Sequence, residues 1–94
     1  MLIERLIWDV EPDNQDEFVA LLTNYMREAN SKIKRIYTPL IGNLGQIVAE
    51  LEYENLSDWE IAWHEWKSPE RAADVALESE LATVRETTVW GLVE

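Results

Sequence analysis

The sequence predicts an α+β fold in the order strand, helix, strand, strand, helix, strand, with the four strands in one antiparallel sheet. Three observations predict it. Residues 2–10 alternate with apolar side chains in both registers, as a strand covered on both faces does. Two further strand patterns, 33–41 and 46–54, are separated only by Gly42-Asn43-Leu44-Gly45, whose glycines suit a tight hairpin. Residues 57–66 then place Trp59, Ala62, Trp63 and Trp66 on one helical face, a stripe that requires a broad surface such as a sheet to pack on.

Each element has a local cause. In the first strand Leu2, Leu6, Trp8 and Val10 share one side, while Ile3 and Ile7 share the other with Arg5 and Asp9. Pro12 ends this strand and suits a first helical turn, and Asp13, Asp16 and Glu17 complement the positive end of a helix dipole. The helix is expected over 13–30, with Phe18, Leu21, Leu22, Tyr25, Met26 and Ala29 buried and Asn30-Ser31 as its stop. Pro39 marks the second strand as an edge or a bulge. The third strand turns Ile47, Ala49, Leu51 and Tyr53 one way and Glu50, Glu52 and Glu54 the other.

Ser57 and Glu60 have the spacing of a capping box, so the aromatic helix is expected to begin at Ser57. Pro69 cannot continue that helix, and Ser68-Pro69 followed by Ala72, Ala73 and Ala76 predicts a restart. A last strand is expected over 83–93, with Val84, Trp90 and Leu92 on one side. Trp8 and Trp90 are expected on outer strands that are not neighbours.

This order is the ferredoxin-like one. Helices on one face leave the other face of the sheet open, and apolar residues there call for a second copy, so a homodimer is expected. The 94 residues are read as one domain, 1–94. A net charge of −11 with scattered Lys and Arg disfavours nucleic acid and anionic membranes as partners. There is no membrane-length apolar run and no signal-peptide pattern at the start, and cysteine is absent; a cytoplasmic protein is expected.

Asp16-Glu17-Phe18, Gly42-Asn43-Leu44-Gly45-Gln46 and Tyr53-Glu54-Asn55-Leu56-Ser57-Asp58 together resemble the NIPSNAP-like members of the dimeric α+β barrel superfamily. The resemblance runs over most of the chain. It implies two ferredoxin-like subunits packed sheet to sheet. The wider superfamily includes cofactor-free monooxygenases, haem-binding enzymes and small cyclases, so the resemblance implies a fold and a dimer rather than one reaction.

For chemistry, His64 is the one side chain that titrates near neutrality without perturbation and is the candidate catalytic group. It lies off the tryptophan stripe, one turn from Glu60, where an exposed ion pair is the plainer reading. No cofactor is expected, haem included, and no metal, since one His without Cys makes no structural zinc site. Trp8, Tyr25, Tyr37, Trp59 and Trp63 are the candidate ligand-binding residues, although a row of rings above a sheet is also what core packing selects. Arg5 or Arg35 is expected to pair with Glu50 or Glu52 across the sheet. Two functions follow: a homodimer holding a small hydrophobic or aromatic molecule between sheet and helices, with cofactor-independent chemistry within its range, or a non-enzymatic acidic interaction module whose rings are only core. A cavity between the layers discriminates them.

Overall fold

The computed structural model describes residues 1–93. Strand β1 (Leu2–Asp9) leads through a 3₁₀ turn at Pro12–Asn14 into helix α1 (Gln15–Met26). Strands β2 (Ile33–Tyr37) and β3 (Gln46–Tyr53) precede helices α2 (Leu56–Trp66) and α3 (Ala72–Leu81), and β4 (Thr83–Gly91) closes the sheet. All pairings are antiparallel and the strand order is β2-β3-β1-β4, the ferredoxin-like arrangement.

Because β1 is central, the expectation that Trp8 and Trp90 lie on separated outer strands is corrected: β1 and β4 are neighbours. A register shift beside Ile7 and Trp8 lets Arg85 bulge, so Val84 sits opposite Trp8 while Trp90 sits opposite Ile3. Val84 and Trp90 therefore face opposite ways, which alternation alone could not anticipate.

Other boundaries moved for identifiable reasons. Helix α1 stops at Met26 rather than near residue 30, since the chain turns through Asn30 at φ 63, a left-handed conformation that Asn tolerates. That turn brings the Lys32 carbonyl to the Glu52 amide at 2.9 Å. Strand β2 ends at Tyr37, before Pro39, which has no amide to donate. The β2–β3 connection is an open loop rather than a tight hairpin, with Gly42 at φ 98 and the Gly45 amide held by Asn43 Oδ1 at 2.9 Å. Asn55, not Ser57, caps α2: its side chain accepts from the Asp58 amide at 2.9 Å, so the helix starts ahead of the expected capping box. The restart at Pro69 forms as a 3₁₀ turn followed by α3.

Packing between the layers is unequal. At one end Trp8, Val10, Phe18, Leu22, Ile47, Ala49 and Leu81 form the core, with Trp8 edge-on to Phe18 at 5.1 Å. At the other end α2 stands over the first half of β1 and the last half of β3, none of its residues is fully buried, and a cavity remains.

The opposite face of the sheet carries no helix. Ile3, Ile7, Val48, Tyr37 and Trp90 lie there around a polar centre formed by Glu50. Arg5 and Arg35 both donate to Glu50, at 2.7 and 2.8 Å, Arg35 also reaches Glu52 at 2.7 Å, and the Tyr37 hydroxyl completes the set at 2.9 Å. These are the ion pairs the sequence led us to expect.

The Arg35 and Arg5 guanidinium groups hold the Glu50 carboxyl at about 2, well below its ordinary 4.5, against the opposing effect of burial. A carboxylate depressed on folding stabilises fully above its unfolded value, and that contribution is lost as pH falls from about 4.5 towards 2. Both arginines remain half in water, so the contribution is about 1 kcal/mol, the upper range for such pairs. In urea titrations at stepped pH, Glu50→Gln should therefore be less stable near neutrality and lose less stability on acidification than the parent; parallel pH curves would contradict this.

Candidate functional site

The cavity between the sheet and α2 has a volume of about 640 Å³. This is within the range of about 300–1,000 Å³ usual for small-molecule sites. Its walls are rings and its polar groups are few. Trp8, Tyr53, Tyr25, Trp63 and Trp66 contribute aromatic surface, and Leu6, Leu51 and Val75 contribute aliphatic surface.

Glu4 is the central polar feature. Alternation along β1 turns it to the helix side with Leu6 and Trp8, and it is only 2% exposed. Three neutral donors converge on it. The Tyr53 hydroxyl donates to Oε1 at 3.1 Å, and the Trp59 and Trp63 indole N–H groups both donate to Oε2, at 2.9 and 3.1 Å. Trp59 and Trp63 can share one oxygen because residues four apart stack on one helical face, where their rings meet edge-on at 5.9 Å. The tryptophan stripe therefore packs on the sheet through a carboxylate, not through apolar contact alone.

A second carboxylate enters from α3. Glu78 accepts the Trp8 indole N–H at 3.0 Å, and burial raises its carboxyl above the ordinary range while that hydrogen bond opposes the rise. Tyr25 from α1 lies edge-on to Trp66 at 5.4 Å, and its hydroxyl is buried without a hydrogen-bond partner among the described residues. Burial, then the nearby Asp74 and Glu78 charges, push that hydroxyl up, so it stays protonated. Burial and the Glu4 carboxylate do the same to Tyr53. Arg71 closes one rim, over Tyr25 and Trp66 at 5.9 and 5.8 Å, held by Glu28 and Asp74 at 2.6 and 3.0 Å.

The structure thus brings Trp8, Tyr25 and Trp63 to one cavity and places Trp59 directly behind it, on Glu4. Tyr37 is elsewhere, on the helix-free face, bonded to Glu50. His64 is exposed in the last turn of α2, outside the cavity. Glu4, Tyr53 and Glu78 were not among the residues singled out from sequence. Only Glu4 carried a signal: an acidic residue in the apolar register of Leu2, Leu6 and Trp8. Among the described residues no group of three or more His, Cys, Asp or Glu is placed to hold a metal ion, and no helix is long and apolar enough to cross a membrane.

Each indole N–H donated to a buried carboxylate contributes about 1.5–3 kcal/mol. Trp59→Phe and Trp63→Phe should each lower unfolding free energy by about that amount. Urea denaturation reads this directly, and losses no larger than for an exposed-residue control such as Ile41→Ala in the β2–β3 loop would show that the bonds to Glu4 do not hold α2.

No protein-family model matches the chain, and no curated protein sequence does. Solved structures do. A NIPSNAP-like domain protein from Burkholderia xenovorans superposes with a TM-score of 0.79 at 21% identity, over 99% of this chain and 85% of that one. A NIPSNAP family protein from Agrobacterium tumefaciens gives 0.74 at 18% identity, over 98% and 90%. SnoaB, a cofactor-independent oxygenase from Streptomyces nogalater, gives 0.68 at 12% identity, over 99% and 93%. The chain has the α+β fold that NIPSNAP proteins and this oxygenase share.

Proposed function

We propose that the protein binds a small aromatic molecule in the cavity between its sheet and α2, and that it does so as a homodimer. The cavity itself carries this reading. Rings that were only core would fill the space beneath α2, whereas Trp63 and Trp66 border an open cavity. The interaction-module alternative gives no reason for that opening. A flat ligand gains large contact area against rigid rings, while Glu4, Glu78 and the unpartnered Tyr25 hydroxyl supply orientation.

The dimer is supported by the helix-free face, where Trp90 is 60% and Tyr37 46% exposed beside Ile3, Ile7 and Val48. Packing two such faces would bury these residues and shield the Glu50 network from water. The acidic, cysteine-free composition supports a cytoplasmic setting.

A second reading, proton transfer on the bound molecule, is favoured by Glu78. A half-buried carboxyl whose pKa is raised by burial above the ordinary range, fixed by the Trp8 N–H inside an aromatic cavity, suits removal of a proton from an acidic O–H or C–H. SnoaB, which shares the fold, is named as working without a cofactor. His64, facing solvent, has no part in this reading.

Native mass spectrometry of protein purified without harsh treatment tests both halves together. The expected species is a dimer with a bound small molecule in each subunit, and Ile7→Asp should shift it to monomer by placing unpaired charge in the contact. A ligand-free monomer for the parent protein would contradict the proposal.

A further inference from the structure

The proposed cavity has an unbalanced charge that its own residues do not neutralise. Glu4 accepts only from tyrosine and tryptophan, and Glu78 only from tryptophan; neither forms an ion pair among the described residues. The other deeply buried carboxylate, Glu50, is met by two arginines. The same fold thus compensates a buried carboxylate on one face of the sheet and leaves a buried one, Glu4, and a half-buried one, Glu78, without a cation on the other, where the cavity is.

Acceptor capacity remains at both. A carboxylate offers about four lone-pair positions. Glu4 uses three, with one hydrogen bond on Oε1 and two on Oε2, and Glu78 Oε2 accepts none. The rings point to the same partner, because the faces of Trp and Tyr attract cations, most strongly where water is excluded. This chain already uses that attraction at the margins, with Lys67 Nζ 5.3 Å from the Trp63 ring and Arg71 over Tyr25 and Trp66. The rim does not reverse the sign. Arg71 is held by Glu28 and Asp74, and the lining as a whole carries Glu4, Glu28, Glu65 and Glu78 against Lys32 and Arg71. Over longer range a net charge of −11 draws cations in and repels anions.

We propose that the ligand of this cavity is a protonated amine carried on a flat apolar body, its ammonium group accepted by Glu78, whose Oε2 is free, with Glu4 adding to the negative charge of the cavity and the body packed against Trp8, Trp63 and Trp66. The proposal rests on the cavity reading above and adds the charge of the ligand to it. The Tyr25 hydroxyl is a further contact for any polar group on that body.

Three probes that share one ring system and differ in charge separate the two claims: 2-(1-naphthyl)ethylamine, 2-(1-naphthyl)ethanol and 1-naphthylacetate, titrated calorimetrically at pH 7. The amine should bind about tenfold or more tighter than the alcohol, the acid should bind more weakly than either, and added salt should weaken the amine alone. Glu78→Gln, which keeps an acceptor for the Trp8 N–H, should erase most of the amine's advantage over the alcohol. Glu4→Gln, where it folds, should reduce that advantage by lowering the negative charge of the cavity. Binding of the alcohol as tightly as the amine, or an amine preference that survives Glu78→Gln, would overturn the cation proposal and leave the cavity reading standing. No binding by any of the three would remove the cavity reading and this inference with it.

Discussion

A carboxylate buried in the central strand, with no cation beside it, sets the geometry of half the molecule. Glu4 is tolerable at 2% exposure only because three donors reach it, one from β3 and two from α2. Its demand fixes the rotation of α2, since both indole N–H groups must point at one oxygen. The N–H edges of both rings are turned to Glu4. The consequence is the open space that Trp66, Tyr25 and Trp8 border. A leucine at this position would remove the demand and let α2 settle onto the sheet, which is how an ordinary core would be built.

Charge is handled differently on the two faces of the sheet. On the helix-free face Glu50 sits among Arg5, Arg35 and Tyr37, a set that satisfies it fully and leaves apolar residues around it. On the helix face Glu4 and Glu78 are held by neutral donors only. A charged centre that is already paired suits a contact with a second, equally paired surface; an unpaired one suits a ligand that brings its own charge. The division of labour proposed for the two faces rests on that contrast.

Much of the fold was legible in the sequence because it is written in local terms. Alternation in residues 2–10 and 46–54, the stripe from Phe18 to Met26 and the proline at 69 each act within a few residues of themselves. What was not legible depends on partners distant in the chain. The bulge at Arg85 follows from pairing with β1 and decides that Trp90 faces away from Val84. Asn55 outcompeted Ser57 as the cap of α2, a choice between two adequate local signals that the sequence does not rank. The candidate site was half legible. Trp8, Tyr25, Trp59 and Trp63 are in or behind the cavity for the periodic reasons that made them candidates, whereas Tyr37 shares their chemistry but lies in the register of Arg35, on the other face. Glu78 could not be found from α3, where it is one of several acidic residues, because its role comes from a Trp8 ring seventy positions away in the chain.

The most direct measurement is a ¹H–¹⁵N spectrum of the tryptophan indole groups, one signal for each of five. Trp59, Trp63 and Trp8, whose N–H groups are given to carboxylates, are predicted to exchange slowly with solvent. Glu4→Gln should move the Trp59 and Trp63 signals together and leave Trp8 on Glu78. Fast exchange at Trp59 and Trp63, or signals indifferent to the change at Glu4, would mean that the buried carboxylate does not hold α2 and that the cavity is not built as described.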